Sequence, residues 1–303
     1  RQCNARIRIV DNTEFLPLMA NWNHALRQIS PQSVYTKIVH ADDWLFPACI
    51  ASMVEVAAHH PTVGLVSAYR LNEDRVDLDG LPYPSTVMAG NSVARLSLGR
   101  NPLFLFGSPT STLIRSDLIR ECERFYDETL LHADTDACFR LLQQSDFGFV
   151  HQILTYTRRH NESITSKVKR LETIHAEMVG CFLRYGPLVL DEEEFEVRRH
   201  EVVQGYYRML ARHAFQRNDA NFWAYHRRNL AALGLPFEWQ RLARPLFLES
   251  VDALLHIKHT VRKLATRHAD DSRATLPASP DGRRRVPDRA GAGRPRCRRC
   301  RWH

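Results

Sequence analysis

The stretch Val34-Tyr35-Thr36-Lys37-Ile38-Val39-His40-Ala41-Asp42-Asp43-Trp44-Leu45-Phe46-Pro47 decides the architecture. Its apolar run, 34–39, predicts a short strand buried between layers. The run ends in two adjacent carboxylates, and Pro47 suits the first turn of a helix that follows almost at once. Asp42 and Asp43 are therefore expected at the carboxyl end of a strand, the edge where open α/β sheets bind ligands. Two neighbouring acids repel each other, and a divalent cation that bridges them to an anionic ligand relieves the repulsion. A solvated turn before a helix that favours Asp in its first turn explains the same pair without chemistry.

On either side the pattern alternates. Ile7-Arg8-Ile9-Val10 reads as a buried strand that ends at Asp11-Asn12. Leu18, Trp22, Ala25, Leu26 and Ile29 recur at helical spacing, which predicts an amphipathic helix near 15–29, stopped at Ser30-Pro31. Ile50, Met53, Val54 and Ala57 mark the buried face of the helix after Pro47, and Val63 to Tyr69 is the next strand. Strand, helix, strand, helix, strand at this spacing predicts parallel βαβ units. Residues 70–105, with Pro82, Pro84, Gly90, Gly99 and Pro102, read as an irregular excursion over the site. Further strands are expected at 106–114, 147–150 and 153–156, and Asp117 can cap a short helix. From about 167 the pattern is helical for a hundred residues, with segments near 168–185, 193–215, 219–233 and 246–267, and Gly186-Pro187 and Gly234 to Pro236 between some of them. The apolar stripe from Leu246 to Ile257 packs on the domain or, alternatively, lies on a membrane surface.

Composition bounds the rest. At 303 residues and 44% hydrophobic the chain can bury a full core. No apolar run approaches the roughly 20 residues that cross a bilayer. The seven cysteines follow no framework spacing, which fits a reducing, cytoplasmic setting, and Cys297 and Cys300 lack the second pair of a zinc site. The net charge of +8 is carried by ten arginines against two aspartates between 273 and 303. That Pro- and Gly-rich tail cannot bury a core and is expected to be disordered. It reads as an adventitious tail or as a tether to nucleic acid or membrane. With the remainder near neutral, no basic groove for specific nucleic-acid binding is expected.

The order of the motifs carries a resemblance. Asn21-Trp22-Asn23-His24-Ala25-Leu26 comes first, then Asp42-Asp43-Trp44-Leu45-Phe46-Pro47 and Pro61 to Val66. Gly107-Ser108-Pro109, Phe125-Tyr126-Asp127, Asp134-Thr135-Asp136-Ala137-Cys138-Phe139-Arg140 and Tyr156-Thr157-Arg158-Arg159-His160 follow. Together they resemble the family 2 glycosyltransferases over roughly residues 5–165. The resemblance implies a GT-A fold, an α/β domain with a mostly parallel sheet flanked by helices, over 1–165, with a helical extension over 166–270 and the basic tail over 271–303. It implies metal-dependent, inverting transfer of a sugar from a nucleotide-sugar donor, a UDP- or GDP-sugar, to a glycan, lipid or protein hydroxyl. In that family a DxD-type motif holds Mn²⁺ or Mg²⁺ against the donor diphosphate. Carried over, Asp43 is the main metal ligand, and Asp42 contacts the ribose or shares the metal. His40 stands where many members have a further Asp. Asp134 matches the catalytic base, with Ala133 in place of the usual Glu; Asp136 is the alternative base, and a helix cap is the alternative role for Asp134. Asn23 bonds a loop or the nucleotide, and Arg158 and His160 match basic groups near the diphosphate. Family members begin with two strands that carry the nucleotide-base pocket. This sequence is expected to start at the third, so the rival reading is a truncated, catalytically inactive relative. The expected location is cytoplasmic or at the inner membrane face.

Overall fold

The computed structural model describes residues 7–158, 171–216, 220–235 and 237–255. Residues 1–249 form one compact unit and 250–303 a second, and the sheet and the candidate site lie in the first. The chain enters through helix α1 (Leu18–Leu26) and the short strands β1 (Tyr35–Thr36) and β2 (Trp44–Leu45). Helix α2 (Cys49–His59) leads to the long strand β3 (Val63–Asn72). Next come β4 (Arg75–Asp77), β5 (Val87–Met88) and α3 (Gly90–Leu98). A 3-10 turn at Pro109–Ser111 precedes β6 (Leu113–Arg115), α4 (Ser116–Arg120), α5 (Ala133–Leu142) and β7 (Asp146–Thr157). Four helices follow: α6 (Thr173–Val189), α7 (Glu192–Gln216), α8 (Ala220–Ala232) and α9 (Trp239–Leu255).

Strand β3 is central because it is buried on both faces. Its neighbours give the order β1-β6-β3-β7-β2, with β4 on β3 and β5 on β7. Val63, Val66 and Ala68 pack with Cys49, Met53 and Ala57 of α2 on one side of the sheet. On the other side Leu65, Phe147 and Phe149 meet α3, α5 and α6. The sheet is thus sandwiched between helices, as a strand with no polar face requires.

Several expectations change. The sheet is mixed rather than mostly parallel: β3 and β7 run parallel, while β1–β6, β3–β6, β3–β4, β2–β7 and β5–β7 are antiparallel. The two strands expected at 147–150 and 153–156 are one. Ala68 pairs with Val150 and Tyr69 with Ile153, so His151 and Gln152 form a bulge that looks like a break in the apolar pattern. The excursion at 70–105 contains a β3–β4 hairpin, a strand and helix α3. Ile7 and Ile9, expected in a buried strand, are irregular and 69% and 74% exposed, because none of the described strands pairs with them. The run at 34–39 is strand only at Tyr35–Thr36, with Val34 and Val39 exposed, because β1 pairs on one side alone. The buried face of α1 is Met19, Asn23 and Leu26, one residue round from the apolar stripe.

In the helical part, α6 continues through Pro187, and its Cys181, Phe182 and Tyr185 enter the α/β core. A second core joins Ala176 and Val179 to Tyr206, Leu210, Phe222 and Leu242. Leu246 packs against it, while Phe247 and Leu248 are exposed. Among the described residues no helix is long and apolar enough to cross a membrane. The expected tail and the end of the last helical segment lie outside the described residues.

Candidate functional site

Asp43 reaches the carboxyl ends of the parallel pair β3 and β7 by an indirect route. The acids do not end a buried strand; they occupy the turn that opens β2. Strand β2 pairs Trp44 with Tyr156 and Leu45 with Thr155, and the backbone N–H of Arg158 donates to Asp43 Oδ1 at 3.2 Å. Asp43 is 7% exposed, whereas Asp42 faces solvent. The two neighbours therefore have unlike environments.

His40 stands beside Asp43. Its Nδ1 lies 3.5 Å from Asp43 Oδ2, longer than a hydrogen bond. The ring stacks on Trp22 with centroids 5.0 Å apart, and its backbone N–H donates to Thr110 Oγ1 at 3.1 Å. Burial pushes the Asp43 carboxyl up, but His40, Thr110 and the Arg158 N–H outweigh it and hold the group below the ordinary carboxylate value. Asp43 Oδ2 and His40 Nε2 are both buried without a hydrogen-bond partner.

Asp134 sits in the first turn of α5, after the capping residue His132. Its Oδ1 accepts from the Thr135 N–H at 2.9 Å. Burial raises its carboxyl above the ordinary value, partly offset by His132, by backbone N–H groups and by His40. The capping residue is thus His132, two positions earlier than the alternative reading placed it. Asp134 lines a narrow cleft of about 10 Å³ with Gly107, Ser108, Tyr126 and Cys138, room for one water-sized group. Asp136 is committed elsewhere: Arg184 and the Tyr185 hydroxyl of α6 both donate to its Oδ1, the latter at 3.1 Å.

The other expected site residues divide. Asn23 is 2% exposed, and every polar atom of its side chain is engaged with the loop after α4. Its Nδ2 donates to Tyr126 O at 2.8 Å and Glu128 Oε1 at 3.0 Å, and its Oδ1 accepts from the Tyr126 N–H at 2.9 Å. Of the two roles expected for it, these bonds are those of the loop: Asn23 pins the segment that places Tyr126 against Trp22. Asn23→Ala should cost about 2 kcal/mol of stability in urea unfolding, since it leaves buried backbone groups unpaired. Arg158 is exposed next to Asp43, whereas Arg159 and His160 lie outside the described residues. Among the described residues Arg140 pairs with no carboxylate; it donates to Phe125 O and sits over the Phe125 ring at 5.2 Å.

The positions that sequence reasoning missed are Thr110, Trp22 as a ring platform, and His40, read there only as a missing Asp. The signal for His40 was present, since it lies three residues before Asp43 on a turn. Thr110 sits in a Gly- and Pro-bounded turn with no periodicity to reveal its direction. Thr155 and Thr157 on β7 and Ser108 in the cleft wall also bear buried hydroxyls without partners. Such atoms are uncommon in native folds. On the strand that pairs with β2 and in the wall of the Asp134 cleft, they mark a surface suited to a polar ligand. Among the described residues no three His, Cys, Asp or Glu side chains gather as a metal site.

No family model matches the chain. No curated protein matches it either. Among solved structures, the crystal structure of S. aureus TarS 1-349 is similar, with a TM-score of 0.43 and 12% identity over 70% of this chain and 58% of that one. This chain thus spans less than two thirds of that chain's length. A likeness of this degree assigns no residue a role.

Proposed function

We propose that this site transfers a sugar from a nucleotide-sugar donor to an acceptor hydroxyl, with a divalent cation, Mn²⁺ or Mg²⁺, and inversion at the anomeric carbon. The observation that carries the reading is geometric: His40, whose ring lies 3.5 Å from Asp43, is tied by its backbone N–H to Thr110, in the turn whose Gly107, Ser108 and Pro109 line the cleft beside Asp134. That turn links the buried Asp43 carboxylate to the cleft that Asp134 lines. The order of motifs that resembles family 2 glycosyltransferases supports it.

The residues fit a cation in a limited way. Asp43 offers a buried carboxylate oxygen with no donor on it, and the Arg158 N–H fixes its other oxygen. Asp43 and Asp42 would supply one or two ligands to a cation that arrives with a phosphate-bearing donor, as is usual for Mg²⁺ sites. The cation, when bound, neutralises charge on the leaving diphosphate. Asp43 holds that charge balance in place, and exposed Asp42 reaches the ribose or a shared ligand. Asp134 accepts the proton of the acceptor hydroxyl as its oxygen attacks; burial makes its carboxylate more basic than a solvated one. The cleft beside it admits the attacking group and little else.

Thermal unfolding with UDP or GDP, with and without Mn²⁺, tests the reading. A diphosphate at about 100 times its dissociation constant stabilises by about 2.7 kcal/mol, a shift of several degrees. The shift should need Mn²⁺, vanish in Asp43→Asn and shrink in Asp42→Asn. No shift with either nucleotide, with Mn²⁺ present, would leave the non-catalytic relative as the better description.

A further inference from the structure

We infer that His40 is itself a ligand of the cation, so that the site is a mixed imidazole–carboxylate centre that prefers Mn²⁺ to Mg²⁺. The inference rests on the proposed function and adds to it which metal is selected and by which atom.

The geometry points there from three sides. His40 Nδ1 and Asp43 Oδ2 stand 3.5 Å apart, too far for a good hydrogen bond. Two donors each about 2.1 Å from one cation stand roughly 3.0–3.5 Å apart, so the observed gap lets both atoms reach one ion. The Asp43 side chain is 2% exposed, and Oδ2, the atom facing the imidazole, has no hydrogen-bond donor. A buried carboxylate oxygen is costly to leave in that condition. Finally, the ring is held before any ligand arrives. Trp22 stacks on one face, and the backbone of His40 is tied to Thr110. His40 Nε2 has no partner either, so among the described residues no hydrogen bond commits the ring to one tautomer.

The choice of metal follows from the donor set. Mg²⁺ takes hard oxygen ligands in a near-ideal octahedron, whereas imidazole nitrogen suits the transition metals. A carboxylate in place of His40 would make the set all-oxygen and remove the discrimination.

The test uses the whole chain with Mn²⁺ and inorganic pyrophosphate, which avoids any assumption about the nucleotide. Pulsed EPR of protein-bound Mn²⁺ should detect nitrogen couplings, and competition should show Mn²⁺ preferred to Mg²⁺ by about tenfold or more. His40→Asp should keep the Mn²⁺, lose the nitrogen couplings and bring the two affinities within about threefold. His40→Gln, with its melting temperature measured alongside, guards against a folding defect in the first variant. Mn²⁺ that binds, and is lost in Asp43→Asn, yet shows no nitrogen coupling in the unaltered chain overturns this inference and leaves the proposed function standing. Couplings that survive in both His40 variants overturn it equally. If Mn²⁺ with pyrophosphate does not bind the unaltered chain at all, both the inference and the metal-dependent reading fall.

Discussion

Asp134→Asn should lower the transfer rate by about 10²–10⁴-fold, the usual contribution of a positioned general base, while the protein melts no lower than before. The two halves of this result have one cause. Burial disfavours the ionised carboxyl and raises its pKa. Ionised, it is a stronger base, but folding pays for the desolvation. The sign of the pH effect follows. Between the ordinary carboxylate value, 3.8, and the raised native value, the folded protein binds more protons than the unfolded chain. Stability therefore falls as pH rises through that window, and it falls less in Asp134→Asn. Activity runs the other way, rising as Asp134 ionises, and the variant should lack that limb of the profile. Asp136→Asn supplies the contrast. It weakens the contacts of Arg184 and Tyr185 that tie α6 to α5, and should cost about 2 kcal/mol, moderated because Arg184 is half exposed, with a far smaller change in rate. Initial rates and urea unfolding on both variants distinguish a base from a brace. A larger rate loss in Asp136→Asn than in Asp134→Asn would reverse the assignment.

The contrast between these acids also shows what could be read in the chain. Both stand in the first turn of α5, and sequence spacing alone cannot say which is spoken for. The partners of Asp136 come from α6, about fifty residues on, so the decision is tertiary. The same holds for Asn23. A polar residue on the buried face of α1 shifts the apolar stripe by one position, and the pattern places Trp22 inward when its ring instead supports His40. Elements governed by local burial were legible: α2, β3 and the first three helices after 173 lie close to where periodicity puts them, whereas the last, expected from 246, already begins at Trp239. The mixed strand directions were not. Strand β6 returns antiparallel after the turn at Pro109–Ser111, and nothing in a strand of three residues records direction. His151 and Gln152 interrupt the pattern of β7 without interrupting the strand, because a bulge adds residues to one strand only.

Gly90 is the clearest case of a residue whose local meaning misleads, and it carries the second large effect. Among the prolines and glycines of 70–105 it reads as a breaker, yet it is the first residue of α3. A methyl group at Gly90 would lie 2.2 Å from both Leu142 O and Ser145 O, which are backbone atoms at the end of α5 and the turn before β7. Neither can move without shifting the entry to β7, a strand of the central sheet, so α3 would have to lift from α5. Gly90→Ala should therefore cost about 3 kcal/mol, at the upper end of overpacking penalties, and a larger side chain more. That is a substantial share of the roughly 5–15 kcal/mol that holds a domain folded. Gly205→Ala is the control. Gly205 lies within α7, and the nearest atom to an added Cβ is the end of the Arg208 side chain at 3.9 Å. Here the methyl group meets no obstacle, and the helix gains about 0.5–1 kcal/mol from the reduced freedom of the unfolded chain. One substitution should thus have opposite signs at two helical glycines, a separation of about 4 kcal/mol in urea midpoints at equal slopes. If Gly90→Ala proved neutral, α3 would not be packed on α5 through this backbone contact, and the seating of the helical layer on the sheet would need revision.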